Sequence, residues 1–125
     1  DEDELQRFHD EMKDRFGPIP ACVEDLFTTV RCRRMAVELG FERMTEKQKT
    51  LRCYFVNNPD SPYFHSATFN AILLHLQTKT NKSHLKQVGK NFMLVTEHVP
   101  EMKQLQTILE EMLATVNEVK ASPQD

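Results

Sequence analysis

The sequence predicts an α+β domain: a small, mostly antiparallel sheet of two hairpins packed with about four helices, in the order α-α-β-β-α-β-β-α. Three observations predict it. Apolar residues recur at spacings of three and four in four separate stretches. Short strand-like stretches come in two adjacent pairs, each joined by a polar turn. Single strands do not alternate with helices, which argues against a doubly wound parallel sheet.

Leu5, Phe8, Met12 and Phe16 mark a first amphipathic helix over residues 3–16, and its acidic start suits the helix dipole. Gly17-Pro18-Ile19-Pro20 ends it, because glycine supplies backbone freedom and proline cannot continue the helix. A second helix starts near Ala21. Val23, Leu26, Phe27, Val30 and Val37 form its apolar stripe, widened by Cys22, Thr29, Cys32, Ala36 and Leu39, and Gly40 is its stop. Residues 41–46 and 51–57 read as a hairpin joined by the polar Lys47-Gln48-Lys49-Thr50. The run Asn57-Asn58-Pro59-Asp60-Ser61-Pro62 is a loop. A third helix follows over residues 64–78, carried by Phe69, Ile72, Leu73 and Leu76. Residues 84–88 and 92–97 form a second hairpin turning at Gly89-Lys90-Asn91. A last helix begins at Pro100 and runs to about Val119 on Met102, Leu105, Leu109, Met112, Val116 and Val119. That repeat is too short for a convincing coiled coil and reads as packing against the sheet.

The 125 residues fit one domain, with residues 1–4 and 119–125 expected to fray. A chain that opens on Asp1 in an acidic DEDEL reads as a domain excised from a longer protein, with no signal peptide of its own. A hydrophobic content of 39% supports a core, and no apolar run approaches membrane-spanning length. The net charge of −3 weighs against a nucleic-acid binder as a whole, though not against a local basic patch.

Little in the sequence points to chemistry. Cys22, Cys32 and Cys53 form no close pair, so neither a zinc ribbon nor a redox dithiol is implied, and buried free thiols are expected. His9, His65, His75, His84 and His98 fall at no ligand spacing, so no metal is expected. Gly89-Lys90 lacks the earlier glycine and the following Ser or Thr of a phosphate loop. No G-x-S-x-G occurs, and the paired carboxylates sit on polar helix faces, so no catalytic residue is assigned.

Two charged constellations stand out. Arg31, Arg33 and Arg34, with Arg52 and the neighbouring hairpin cations Arg43, Lys47 and Lys49, form a possible basic patch for phosphate or an acidic partner. No ladder of aromatics accompanies the arginines, and Glu24, Glu38, Glu42 and Glu46 could neutralise them. The second constellation is Glu11 to Pro20, EMKDRFGPIP. Glu11, Asp14 and Arg15 share one helix face beside the rigid corner of Gly17, Pro18 and Pro20, as a docking site would be built. A local Glu11–Arg15 pair is the alternative, worth only about 0.3–0.5 kcal/mol.

The run Asp14-Arg15-Phe16-Gly17-Pro18-Ile19-Pro20, with Val23-Glu24-Asp25-Leu26, Arg33-Arg34-Met35-Ala36 and Glu38-Leu39-Gly40-Phe41-Glu42 after it, resembles the start of the C-terminal domain of bacterial transcription-repair coupling factors, the Mfd family. Tyr54-Phe55-Val56 and Asn58-Pro59-Asp60-Ser61-Pro62-Tyr63 continue the resemblance, which spans about residues 4–118 and is most specific over 14–41. It implies a bacterial cytoplasmic protein whose upstream motors translocate on DNA using ATP and Mg, displace stalled RNA polymerase and recruit UvrA. It further implies that this domain has no cofactor or catalytic site. Its role would be autoinhibitory, docking on the N-terminal UvrB-like module and masking the UvrA-binding surface. Carried onto this chain, the contacts fall on Glu11, Asp14 and Arg15, with Phe16 as a buried anchor and Gly17, Pro18 and Pro20 as support. The alternative within the same family is a DNA-binding accessory role for Arg31, Arg33 and Arg34. Lys13 departs from the family pattern, which has an apolar residue there.

Overall fold

A computed structural model describes residues 1–80 and 82–122. The elements are α1 (Glu2–Phe16), α2 (Ala21–Leu39), β1 (Arg43–Lys47), β2 (Thr50–Tyr54), a single 3-10 turn (Pro62–His65), α3 (Ala67–Thr78), β3 (Ser83–Val88), β4 (Asn91–Thr96) and α4 (Met102–Ala121). The two hairpins join into one antiparallel sheet of order β1-β2-β4-β3, with Cys53 opposite Leu94 at the central seam. The fold is therefore α+β in the expected order.

One sheet face makes the core. Leu51, Cys53 and Leu94 are buried from that face against Cys32, Ala36 and Leu39 of α2, Ala71 and Ile72 of α3, and Leu105, Leu109, Met112 and Val116 of α4. Helix α4 packs on both α2 and α3 and closes the layer. Cys32 and Cys53 are buried free thiols, and Cys22 is exposed. Burial pushes the Cys53 thiol up to about 12; burial, with Glu110 beside it, pushes Cys32 up to about 11. Neither is a nucleophile at neutral pH.

Helix ends follow local chemistry. The Asp1 carboxylate accepts from the Glu4 N–H at 2.9 Å and caps α1, which starts at Glu2, within the residues expected to fray. Likewise α4 continues to Ala121, past the expected end at Val119; the remaining tail, residues 123–125, lies outside the described residues. The same helix begins at Met102 rather than at Pro100, behind a Val99 that is buried and donates its N–H to the Lys49 carbonyl at 2.8 Å. That bond ties the approach to α4 onto the β1–β2 turn. Gly40 closes α2 in the left-handed region at φ 87, with its own N–H on Val37 and the Phe41 N–H on Ala36.

Three boundaries differ from expectation. The first hairpin turns on two residues, Gln48 and Lys49, both at positive φ, rather than on a four-residue linker. That is the turn whose twist matches the strands, so pairing runs further in and Lys47 faces Thr50. Beyond Tyr54 the chain leaves the ladder, so β2 is shorter than expected. The expected helix over 64–78 breaks at Ser66, whose hydroxyl caps α3 by accepting from the Phe69 N–H.

The stripe on α2 is also rotated from expectation. Phe27, Thr28, Cys32, Ala36 and Leu39 are buried, whereas Leu26, Val30 and Val37 lie on the opposite, exposed face. The helix carries apolar residues on two faces, and only one meets α4 and the sheet.

His75 is buried on α3. The Thr115 hydroxyl already donates to the Glu111 carbonyl at 3.2 Å, so the ring's Nδ1–H donates to that oxygen at 2.9 Å. Burial lowers the His75 pKa below its ordinary 6.5; Glu111 opposes the shift and Lys79 reinforces it. The unfolded chain therefore binds the proton more readily. This contribution to stability is whole above the unfolded value, near 6.5, and is lost as pH falls from there toward the folded value. Denaturation midpoints measured between about pH 5 and 7.5 should drop on the acid side, and His75→Gln should flatten that drop.

Candidate interdomain interface

Helix α1 is the least integrated element of the domain. It buries no residue and packs chiefly on α2. What holds it is a polar seam. Arg31 donates through Nε to Glu2 at 2.8 Å and through Nη2 to the Gln6 side-chain oxygen at 2.9 Å. Arg34 lies 3.8 Å from the other Glu2 oxygen. His9 Nε2 meets the Glu24 carboxylate at 2.6 Å, and the His9 ring stands edge-on to Phe27 with centroids 4.9 Å apart.

The outer side of α1 is the candidate interface. Phe8, Glu11, Met12, Asp14, Arg15 and Phe16 line a groove of about 460 Å³. The three expected contact residues are thus brought together, and all are exposed. Among the described residues none of them makes an ion pair or a hydrogen bond, so the Glu11–Arg15 pair does not form. Their charges are unspent within the domain.

Phe16 is not a buried anchor; it is 75% exposed, and Phe8 is 60% exposed. The reason is the corner that follows. Gly17 adopts φ 83 and ψ −160, a conformation open essentially to glycine alone, and this turns the chain into Pro18 and Pro20 before α2 can reach Phe16. Sequence reasoning missed Phe8 and Phe16 as surface residues. Their helical spacing shows that they share a face, but not that the face lacks cover.

The possible basic patch does not assemble. Arg31 and Arg34 are committed to α1. Arg33 is exposed on another side of α2. Arg52 points from β2 with Val95, on the sheet face away from the helices.

A larger cavity, about 750 Å³, lies elsewhere, between the β3–β4 turn and the 56–59 loop. Phe64, Phe69 and Phe92 wall it, and Asn57, Asn58, Gln87 and Lys90 rim it, with no carboxylate, histidine, cysteine or serine to form a catalytic pair. Among the described residues no group of His, Cys, Asp and Glu could hold a metal ion, and no helix is long and apolar enough to cross a membrane.

A family model of the TRCF domain matches residues 1–66, which includes α1, its corner, α2, the first hairpin and the 3-10 turn. The chain belongs to the TRCF domain family. This places it with transcription-repair coupling factor and with DNA repair. The match contains every candidate interface residue of this TRCF domain. No curated protein and no solved structure matches the chain.

Proposed function

We propose that the α1 groove of this TRCF domain is an autoinhibitory docking surface. It holds the domain against the N-terminal UvrB-like module of the same parent protein and masks the surface that UvrA would bind. The carrying observation is the pairing of three unspent charges, Glu11, Asp14 and Arg15, with two exposed phenylalanines on a helix that buries nothing. Exposed phenylalanine is costly unless something covers it, and unpaired charges of both signs on one groove suit a partner of complementary pattern.

The anchor role moves accordingly. Phe16 serves the partner rather than the domain core, with Phe8 about two turns before it on the same helix. Such a site is releasable. Peripheral charge pairs set orientation and association rate, and a few buried aromatic contacts set lifetime. Release would occur when the parent, an ATP- and Mg-dependent DNA translocase of the bacterial cytoplasm, engages RNA polymerase and DNA. The domain itself is regulatory and carries no chemistry.

The test compares Asp14→Arg with Arg15→Glu, singly and together, in the full parent protein. Binding of the isolated UvrB-like module to this domain should weaken at least tenfold, about 1.4 kcal/mol, in the double variant. UvrA binding by the parent should rise in step. Well-folded variants that bind UvrA no better than wild type would sink the proposal.

A further inference from the structure

The core face of the sheet is covered by helices, whereas the opposite face contributes no residue to the core cluster, and its composition is unusual. Cross-strand partners point to the same side of a sheet. Two complete rows therefore run across all four strands of the opposite face. One is Arg43–Tyr54–Met93–Lys86 and the other is Thr45–Arg52–Val95–His84. Lys47 extends the edge, opposite Thr50. Neither row holds an Asp or Glu, although the chain as a whole carries a net charge of −3. Among the described residues none of Arg43, Lys47, Arg52 and Lys86 makes an ion pair.

The centre of the face is apolar. Met93 and Val95 are each only 4% exposed, yet neither belongs to the core cluster. Arg43 stands over the Tyr54 ring, its guanidinium carbon 4.0 Å from the ring centroid. The face thus offers a cation held over an aromatic ring, with separate cations on both flanks.

We propose that this face binds single-stranded nucleic acid. Flanking Arg52, Lys86 and Lys47 would take phosphates, while the Arg43–Tyr54 pair would take the flat face of a base. Charge complementarity selects a polyanion. The Arg43–Tyr54 pair favours one with bases over an acidic peptide, since stacking on rings and guanidinium planes is how strands without a partner are held. A duplex is disfavoured because the face is a sheet surface roughly 15 Å across at about 4.8 Å per strand, with no helix or ribbon projecting from it to enter a groove. The surface is separate from the α1 groove and does not depend on the docking role.

The experiment is a fluorescence anisotropy titration of this chain with a labelled single strand of about 12 nucleotides. Binding should fall with salt along a log–log slope of about −2 to −3, as expected for three or four neutralised phosphates. Arg52→Glu with Lys86→Glu should weaken it more than tenfold, and Arg33→Glu, on α2, should leave it unchanged. Tyr54→Leu, which keeps apolar bulk, should cost about fivefold or more if a base stacks there. Polyglutamate and an abasic strand are the competing probes. Absence of measurable binding at low salt would overturn the proposal. So would equal binding of polyglutamate, which would mark the face as a dock for acidic protein, or of the abasic strand, which would show that no base is held there.

Discussion

Gly40→Ala is expected to destabilise the domain by about 2–4 kcal/mol, a large share of what a domain of this size has to lose. Two costs coincide at this position. The backbone sits at φ 87, where a side chain costs about 1–2 kcal/mol. A Cβ built there would also lie 2.1 Å from Cε1 of Tyr63 and 2.7 Å from its Cζ. The ring cannot swing aside freely, because its hydroxyl donates to the Leu39 carbonyl at 2.6 Å, one residue before the glycine. The helix stop and the aromatic cluster are thus locked to each other. Asparagine separates the two costs. It tolerates the left-handed region, so Gly40→Asn would be mild if conformation alone mattered. The contact with Tyr63 predicts instead that it is nearly as damaging as alanine. Urea denaturation of Gly40→Ala, Tyr63→Leu and the double variant measures the coupling. Strict additivity, or a mild Gly40→Asn, would show that the ring does not enforce the glycine.

The order of elements was legible because its signals are local. Gly17, Gly40, the prolines and the 57–62 loop punctuate the chain, and the apolar spacing between them is helical or alternating. The seam that joins the hairpins, with Cys53 opposite Leu94, was not legible, because pairing across 41 residues leaves no mark on either segment. Boundary errors came from turn chemistry. Gln48 and Lys49 both hold positive φ without being Gly or Asn, so nothing in their identity announces a two-residue turn.

The candidate interface was half legible for a related reason. The charges Glu11, Asp14 and Arg15 were placed on one face by spacing, and the structure groups them around one groove. Phe16, a buried anchor on the resemblance, is exposed instead, and periodicity could not correct this because it reports which residues share a face and says nothing about what lies opposite. Leu26, Val30 and Val37 on α2 teach the same lesson. The basic patch failed in the other direction. Arg31, Arg33 and Arg34 are neighbours in sequence, but successive helical residues are turned by about 100°, so α1 claims Arg31 and Arg34 and leaves Arg33 apart. The two rows of the sheet face opposite the core draw on all four strands, so they could be seen only once the register was known.

Phe55→Ala should cost still more, about 3–5 kcal/mol, the range for truncating a buried phenylalanine in a core that cannot collapse. Phe55 follows β2 directly, is buried, and donates its N–H to the Phe92 carbonyl at 3.0 Å. Its ring is the hub of the aromatic cluster: Phe41 stands at 5.2 Å, Phe69 edge-on at 5.4 Å and Phe92 stacked at 5.1 Å, with Tyr63 and Phe64 at 6.0 and 6.3 Å. Phe41, Phe55, Tyr63 and Phe64 fall within the matched residues 1–66, whereas Phe69 and Phe92 fall beyond them. The hub therefore stitches the part of the chain that carries the family pattern to the part that does not. Phe55→Leu, which keeps most of the volume but loses the ring edges, should cost less than half as much. Hydrogen exchange distinguishes a stitch from a local defect. In Phe55→Leu, amides of β4 and α3 should lose protection together with those of α2 and β2, because the sheet seam and the cluster open as one unit. Loss confined to residues before 66 would show two independently stable halves and would remove Phe55 from that role.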